Sequence, residues 1–290
     1  RLIEFNNEKI DKLFIKNQKQ AEEFLFKIKN SHFKVDKIKK KETKRNPYAA
    51  FTTSTMQIEA SRKLGFSANQ TMRTAQKLYE GKDIDGEPTG LITYMRTDSV
   101  MMSKDAIEEI RSYVLDKLGS EYIPSEFRVY KSKAKNAQEA HECIRPTNIS
   151  LSPEILKKYL NGDEYKLYEI IWQRAVSSQM SSAIIYQVSV NICNNDSNII
   201  FRSNGSSIKF PGMLAVYQDS KDDDKKEDED ENSNLLPPLN ENDNLNLIES
   251  EKNQHFTSPP PRYTEASLVK KLEELGIGRP STYASIIKVL

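Results

Sequence analysis

Residues 91–99 contain three side chains whose types and spacing could act on a phosphate ester. Tyr94, Arg96 and Asp98 occupy alternate positions in this β-prone segment. If the segment is extended, these three side chains share one face, because side chains two residues apart point to the same side. A phenol with an ordinary pKa of about 10 needs a nearby cation to become a nucleophile. A guanidinium can supply that charge and can also hold two phosphate oxygens.

The same pattern also fits a half-buried strand with a solvated polar face. Arg96 would then be a surface residue, and Asp98 would be structural rather than a residue that orients Arg96. The chain contains 13 tyrosines, so composition does not single out Tyr94. Spacing alone leaves both interpretations open.

His141 is a second candidate, in the motif AHECIRPT at residues 140–147. A zinc site of the HExxH type is excluded, because Arg145 stands where the second histidine is needed. His141 is then either an ordinary core or surface histidine, or a group that hydrogen-bonds or moves a proton at a reacting centre. Arg145 could bind a nucleic-acid backbone or pair with Glu142.

Two further groups of hydroxyl and cationic side chains could contact phosphates. Arg279, Ser281 and Thr282 lie in a glycine-containing turn that leads into a helix, where amides, hydroxyls and an arginine can meet a phosphate. The turn is not a dinucleotide fingerprint, because the third glycine is missing and no strand precedes it. A plain helix–turn–helix connection is the alternative. Thr52 and Ser54 could likewise contact phosphates or cap a helix.

Length and composition limit the class of protein. The chain has 290 residues, enough for two domains, with 37% apolar and 29% charged residues, as in ordinary globular proteins. No apolar run approaches the roughly 18 residues that span a bilayer. Cys143 and Cys193 form no CxxC pair, which indicates a reducing compartment and excludes a zinc ribbon within this stretch. Because the chain starts at Arg1 and stops inside an apolar-periodic stretch, we expect an internal fragment.

The net charge of +1 hides a strong asymmetry. Residues 219–231 hold nine acidic side chains and three lysines, so this segment carries −6 and the remainder +7. We expect the acidic segment to be a disordered surface insertion. Residues 29–45 hold eight cationic side chains against Asp36 and Glu42. Such a run could contact nucleic acid, or it could protect a strand edge against pairing.

Hydrophobic periodicity predicts an α+β fold. Alternating β patterns at residues 1–53 and 181–257 flank a helical block at residues 54–180. The simplest architecture is a discontinuous β-rich domain with an inserted helical domain that carries Tyr94. Residues 258–290 are expected to be the truncated start of a further helical domain that binds DNA.

Local signals set the expected element ends. A strand pair in residues 1–15 turns at two asparagines, and a hairpin from residue 184 turns at residues 194–196, with strands continuing to about Tyr217. Residues 165–176 are apolar almost all round, which predicts a buried helix. Other helices are expected to end at glycines: Gly65, Gly81, Gly119 and Gly276.

Seven motifs occur in an order that resembles the bacterial type IA DNA topoisomerases. They are FTTST at 51–55, RKLGF at 62–66, AQKLYEG at 75–81, LITYMRTDS at 91–99, AHECIRPT at 140–147, RYTEASLVK at 262–270 and GIGRPSTYA at 276–284. The resemblance covers almost the whole chain. The last motif favours the topoisomerase I branch over topoisomerase III and reverse gyrase. Cys143 stands where the family often has alanine, a difference that concerns packing.

The resemblance implies a β-rich arch and a mobile helical domain that together ring a hole wide enough for DNA. It implies that Tyr94 is the nucleophile and takes the 5′ phosphoryl end of a cut single strand. Arg96 would then be the phosphate clamp, and His141 would contact the scissile phosphate or transfer a proton. A phosphotyrosine diester keeps the energy of the original bond, so resealing needs no ATP, and the chain has no P-loop pattern. The implied DNA-binding residues are Asp98, Thr52, Ser54, Arg145, Arg279, Ser281 and Thr282.

The resemblance also implies a Mg²⁺ site of the Asp-x-Asp type on a separate α/β domain, which we expect to lie outside this fragment. The acidic segment is no substitute, because it lacks the rigid frame that octahedral coordination needs. We therefore expect this fragment alone to be inactive. The expected partner of the intact enzyme is a single-stranded segment of underwound DNA, with no membrane, in a monomeric, cytoplasmic, nucleoid-associated protein. A non-catalytic nucleic-acid-binding module with an incidental tyrosine is the alternative from another class.

Overall fold

The computed structural model describes residues 1–11, 13–131, 141–218, 220, 236–257 and 259–290. The strands are β1 (Leu2–Phe5), β2 (Glu8–Lys9), β3 (Phe33–Arg45), β4 (Lys82–Ile84), β5 (Glu87–Thr89), β6 (Ala183–Asn194), β7 (Ile199–Phe210) and β8 (Asn244–Leu245). The α-helices are α1 (Gln18–Lys29), α2 (Thr53–Leu64), α3 (Ala68–Glu80), α4 (Lys104–Leu118), α5 (Pro153–Leu156), α6 (Gly162–Ser178), α7 (Glu265–Leu275) and α8 (Tyr283–Val289). The acidic segment at 219–231 lies outside the described residues, except for Ser220.

The chain divides into two compact units, and the predicted α+β class with an antiparallel sheet is confirmed. The first unit comprises Arg1–Lys44, Ile184–Phe210 and Asp224–Pro260, and the second comprises Arg45–Ala183, Pro211–Asp223 and Pro261–Leu290. The domain boundaries expected from the sequence stay a prediction, because compactness does not show which parts move as one body. Among the described residues, none of the helices combines the length and apolar character that crossing a bilayer requires.

The first unit is built on a six-stranded sheet in the order β2-β1-β7-β6-β3-β8. The strand pair at the N-terminus is confirmed: β1 and β2 are antiparallel, and Asn6 and Asn7 adopt the positive φ angles of 51° and 65° that a tight hairpin turn needs. The β6–β7 hairpin is also confirmed. Helix α1 packs on this sheet, where the Phe24 ring stacks on Phe5 at a centroid distance of 3.8 Å.

The expectation that strands continue to about Tyr217 is wrong, because β7 ends at Phe210. Pro211 follows and has no N–H to donate to a ladder. Gly212 then turns at φ +49°, and a Cβ there would meet the Ser181 carbonyl oxygen at 2.6 Å. The chain therefore leaves the strand direction and forms a short 3₁₀ turn.

Strand β3 carries most of the lysine-rich run. Strand β8 pairs only with its first two residues, Phe33 and Lys34. Lys37, Lys39 and residues 40–42 are exposed further along β3. Exposed lysines on a strand that extends beyond its neighbour oppose edge-to-edge pairing, so this arrangement fits the strand-edge interpretation.

The second unit is organised around α6, which confirms the predicted buried helix. A capping box at Asn161 and Glu164 starts this helix, and Leu167, Tyr168 and Ile171 are fully buried in its core-facing turns. Helices α2, α3, α4 and α5 pack around it, and α7 packs on α2. The predicted glycine stops are confirmed, with Gly65 and Gly276 in the left-handed conformation.

A buried carboxylate, Glu59, joins α2 to the residues that follow the 3₁₀ turn. It accepts hydrogen bonds from the Tyr217 hydroxyl at 2.8 Å and the Ser220 hydroxyl at 2.6 Å, and its carboxylate lies 3.2 Å from the Lys63 ammonium. Burial raises the pKa of Glu59, but the hydrogen bonds from Ser220 and Tyr217 and the charge of Lys63 outweigh it and leave the pKa below its ordinary value. The ionised form is therefore the one that stabilises the fold.

We expect Glu59→Gln to lower the free energy of unfolding of the second unit by roughly 2 kcal/mol at neutral pH. The sign follows from the lowered pKa: the stabilisation is present above the ordinary value of 4.5 and is lost as the pH falls through the folded-state pKa. The difference in the free energy of unfolding between wild type and variant therefore becomes smaller in acid. Fluorescence of Trp172, the only tryptophan and a core residue of this unit, reports the urea transition.

The exposed pair of Glu108 and Lys104 on α4 provides a control with the same i,i+4 spacing as Glu59 and Lys63. Glu108→Gln is expected to change stability by about 0.5 kcal/mol or less. If the two substitutions lower the free energy of unfolding equally, the buried carboxylate is not stabilising. The same follows if the loss caused by Glu59→Gln does not change with pH.

Candidate active site

The Tyr94 segment lies in the second unit, and the structure corrects the expectation of a strand there. Residues 91–99 belong to no strand, and one isolated antiparallel bridge joins Ile92 to Pro146. The Leu91 N–H donates to the Leu78 carbonyl at the end of α3, and the Thr93 N–H donates to the Arg145 carbonyl. The hydrogen bonds of this segment thus go to separate helix ends and loops rather than to one neighbouring strand.

Thr53, the first residue of α2, fixes the centre of the segment. Its hydroxyl donates to the Met95 carbonyl at 2.7 Å and accepts from the Thr97 N–H at 2.9 Å. Its own N–H donates to the Thr97 carbonyl at 2.9 Å. Thr53 and Met95 are fully buried, and Thr97 is 2% exposed. One side of the segment is therefore held against the end of a helix.

The other side of the segment carries the three predicted residues. Tyr94 and Asp98 are half-buried and Arg96 is exposed, whereas Met95 and Thr97 between them are buried. The alternation expected of an extended chain is thus present without a ladder. Tyr94, Arg96 and Asp98 thus share the more exposed side of the segment, and the Tyr94 ring also packs against the edge of the core.

Tyr94 and His141 are brought together, although they are 47 positions apart in the sequence. Their ring centroids lie 5.4 Å apart, and the ring of Tyr79 in α3 packs edge-on against Tyr94 at the same distance. The Tyr94 ring is thus held by aromatic contacts and stays accessible to solvent. The imidazole of His141 is exposed beside it.

Backbone pairing positions the residues that follow His141. The Cys143 N–H donates to the Met101 carbonyl and the Ile144 N–H donates to the Phe51 carbonyl, both at 2.8 Å. The Cys143 carbonyl accepts from the Thr93 hydroxyl at 2.7 Å. Burial raises the pKa of the Cys143 thiol to about 12, so this side chain stays protonated and acts in packing.

Arg145 is engaged within the protein. Its Nε donates to the Glu142 carboxylate at 2.6 Å, and another guanidinium nitrogen donates to the Pro146 carbonyl at 2.9 Å. The ion pair that the sequence left open is therefore present. A DNA contact of Arg145 stays a prediction.

Thr52 and Ser54 also have partners within the protein. Thr52 is the N-cap of α2 and forms a capping box with Thr55. The Ser54 hydroxyl donates to Glu273 of α7 at 2.6 Å. Thr52 and Ser54 are 7% and 2% exposed. These contacts fit the capping alternative, and direct phosphate contacts of the two residues stay a prediction.

The glycine-containing turn that connects α7 to α8 lies close to the Tyr94 segment. The Arg279 N–H donates to the Thr282 hydroxyl at 2.8 Å, and Gly278 turns at φ +83°. Burial, followed by the carboxylates of Glu273 and Asp98, raises the pKa of the Tyr283 phenol, which places Asp98 near the start of α8. Packing thus brings Asp98 and Tyr283 together, although they are more than 180 positions apart in the sequence.

Arg96 and Ser281 line one cleft of about 630 Å³ in the second unit. Helix α3 contributes Arg73 to the same cleft, and α8 contributes Lys288. The sequence analysis missed these two cations, and it also missed Tyr79. The signal available was the polar face of α3, on which Asn69, Arg73 and Gln76 recur at helical spacing.

A metal centre is not apparent in this unit. Within the described parts of the chain, no three histidine, cysteine or acidic side chains come together in a way that could hold a metal ion. The candidate site brings together a phenol, an imidazole and cations. These groups can attack, bind and move protons at a phosphate ester.

Comparisons with known proteins show the family of the chain. The family model described as DNA topoisomerase matches residues 2–290. The chain belongs to this DNA topoisomerase family. The expectation from the seven sequence motifs is thereby confirmed at the level of the family.

Relatives with the name DNA topoisomerase 1 match the whole chain. The chain is 54% identical over 290 residues to DNA topoisomerase 1 of Rickettsia bellii and 45% identical over 294 residues to DNA topoisomerase 1 of Xylella fastidiosa. It covers 36% of the length of each. The structure of full-length topoisomerase I from Thermotoga maritima matches with a TM-score of 0.77 and 38% identity, over 92% of this chain and 42% of that one. The chain therefore spans just over a third of the relatives that it resembles.

We expect Thr53→Val to lower the free energy of unfolding of the second unit by roughly 1–3 kcal/mol, because it leaves the buried Met95 carbonyl and Thr97 N–H without their side-chain partner. Valine has nearly the shape of threonine, so packing is kept. Thr53→Ser keeps the hydroxyl and is expected to cost about 1 kcal/mol or less. Urea unfolding followed by Trp172 fluorescence measures both, and a valine variant as stable as the serine variant would refute this anchor.

Proposed function

We propose that the chain is the central part of a type IA DNA topoisomerase and carries its nucleophile, Tyr94. The intact enzyme would cut one strand of underwound DNA, pass the other strand through the gap and reseal it without ATP. The observation that carries this proposal is the position of the Tyr94 phenol. It lies half-exposed beside His141, on a segment whose next outward side chain, Arg96, enters a cationic cleft.

The chemistry is a reversible transesterification. The Tyr94 oxygen attacks the phosphorus, forms a phosphotyrosine bond and displaces the 3′ oxygen of the neighbouring sugar. The phenol proton passes to water, and His141, which lies beside the phenol ring, would supply a proton to the departing 3′ oxygen. Arg96 would hold the non-bridging oxygens and balance the charge that develops on them. Attack of the same 3′ hydroxyl on the phosphotyrosine reverses each step.

The surroundings of other tyrosines support Tyr94 over them. Burial raises the pKa of Tyr130 to about 12, and it raises the pKa of Tyr168 and Tyr217 as well. A buried phenol resists ionisation, because its charged form loses solvation. These residues also donate hydrogen bonds to protein oxygens. Tyr94 combines partial exposure with a neighbouring imidazole.

Mg²⁺ belongs to this proposal as a cofactor of the intact enzyme, bound outside this chain. When bound, it would stabilise negative charge on DNA phosphates. The described residues do not fit such a site. The proposed substrate is a single-stranded segment of underwound DNA, and the enzyme is proposed to act as a cytoplasmic, nucleoid-associated monomer without a membrane partner. The arch-and-gate arrangement of a β-rich and a helical domain is part of the same proposal.

Tyr94→Phe is expected to abolish the covalent complex between the full-length enzyme and labelled single-stranded DNA, because the attacking oxygen is removed. The complex is trapped by denaturation and measured on a gel. Tyr79→Phe is the matched control: it removes a hydroxyl from the ring packed on Tyr94 and keeps the ring, so the complex is expected to persist. A covalent complex in Tyr94→Phe would show that another group is the nucleophile, and no complex in the wild type would favour a non-catalytic binding module.

The 290-residue chain alone is expected neither to cleave nor to relax a supercoiled plasmid in the presence of Mg²⁺. The reason is that the described residues supply no metal-binding cluster. Gel electrophoresis of the plasmid measures relaxation, with the full-length enzyme as the positive control. Relaxation by the isolated chain would show that its own residues are sufficient for the reaction.

A further inference from the structure

The cleft that contains Arg96 carries cations beyond those of the proposed reaction. Arg73 comes from α3, Arg96 from the Tyr94 segment and Lys288 from α8, so three separate parts of the second unit meet there. Glu80 is the only acidic side chain among the described residues that line the cleft. With three positive charges and one negative charge, the lining carries a net charge of +2.

Within the described residues, no carboxylate forms a salt bridge with Arg73, Arg96 or Lys288. The ordinary alternative is a solvated basic surface, on which like charges spread apart to reduce their repulsion. Here they line one concave space of about 630 Å³, a volume typical of ligand sites. Like charges that converge in a concavity focus the electric field and raise the local concentration of anions, so the cleft is suited to an anionic ligand.

The uncharged lining points to a phosphate backbone rather than to bases. The hydroxyls of Ser281 and Ser285 and the amides of Asn69 and Gln76 supply hydrogen-bond donors. The described residues that line the cleft include no aromatic ring. Stacking platforms are what hold the bases in single-strand grooves, so this cleft is suited to phosphates and tolerates any base sequence.

The cleft adjoins the phenol of Tyr94. Arg96 lies two residues beyond Tyr94 and projects from the same side of its segment. Helix α3 contacts both places, since Tyr79 packs on Tyr94 and Glu80 lines the cleft. A single strand whose scissile phosphate lies at Tyr94 would bring neighbouring phosphates into the cleft.

We propose that Arg73 and Lys288 form a phosphate subsite that holds the strand next to the scissile linkage. Arg96 connects this subsite to the reacting phosphate. This proposal rests on the proposed function, because its ligand is the DNA strand that the enzyme would cut. It assigns a role to two residues that the sequence analysis did not predict. Its function is to keep the strand in place through both cleavage and resealing.

The first test measures how salt affects binding of a labelled single-stranded oligonucleotide to the full-length enzyme in a Tyr94→Phe background, where cleavage is prevented. Arg73→Gln and Lys288→Gln are each expected to weaken binding roughly threefold to tenfold at low salt. Each is also expected to reduce the slope of log K against log salt by about 0.7, the value for one phosphate contact on a single strand. The losses are expected to be the same for oligonucleotides of different base sequence.

Lys77→Gln is the matched control, because Lys77 is exposed on α3 one turn beyond Arg73 and lies outside the cleft. It is expected to leave the slope within about 0.2 of the parent value. Thermal unfolding followed by circular dichroism establishes that all variants are folded. Variants at Arg73 and Lys288 that behave like Lys77→Gln would overturn the subsite.

The second test locates the contact on the DNA. A neutral methylphosphonate replaces one phosphate at a time along the oligonucleotide. We expect one or two linkages beside the cleavage position at which the replacement weakens binding to the parent enzyme but not to the Arg73→Gln/Lys288→Gln variant. The same loss in both proteins at every linkage would refute the proposal.

The two proposals fail in different ways. Suppose that the enzyme with Tyr94 intact forms its covalent complex, but the variants at Arg73 and Lys288 keep the salt dependence of binding of the parent protein. The subsite is then wrong and the proposed function stands. Suppose instead that the slope falls as expected in the variants at Arg73 and Lys288, but the enzyme with Tyr94 intact forms no covalent complex. The cleft then binds DNA and the proposed function is wrong.

Discussion

The arrangement of the candidate site depends on the contact between Thr53 and the Tyr94 segment. Buried backbone groups need hydrogen-bond partners, and among the described residues no strand pairs with residues 91–99 to provide them. Thr53 provides three at once, through its hydroxyl and its N–H, to Met95 and Thr97. It can do so because the first N–H groups of a helix have no partner within the helix. The end of α2 therefore replaces a missing strand and forces the intervening side chains outward.

This anchoring separates two requirements that usually conflict. A nucleophile needs a fixed position, which burial gives, and it needs access to solvent and substrate, which burial removes. In this unit the fixed groups are Met95 and Thr97, while Tyr94 and Arg96 project from the opposite side. Rigidity comes from the backbone and from aromatic packing of Tyr79 on the phenol ring. The phenol ring thereby stays half-exposed.

Local sequence signals predicted many of the elements, and long-range packing explains what was missed. The Asn6-Asn7 turn and the glycine stops of the helices depend on the conformational preferences of one or two residues, so they could be identified directly. The Tyr94 segment has the composition of a strand, but its hydrogen bonds go to Thr53, Leu78 and Arg145, which no local pattern shows. The proximity of Tyr94 to His141 followed from family resemblance rather than from spacing. Arg73 and Lys288 could not be paired in advance, because their meeting depends on how α3 and α8 pack.

A reversible strand break places demands on the groups around the phenol as well as on the phenol itself. Resealing requires the same 3′ hydroxyl to return to the phosphotyrosine, so the cut strand must keep its position while the covalent bond to one end is its only fixed point. A single guanidinium at the scissile phosphate restrains one linkage, and the strand could still rotate about it. Cations on α3 and α8 would add restraints at neighbouring phosphates, where they do not compete with the bond that forms. On the proposed function, the excess positive charge of the cleft would serve the return step, for which the position of the strand has to be maintained over time.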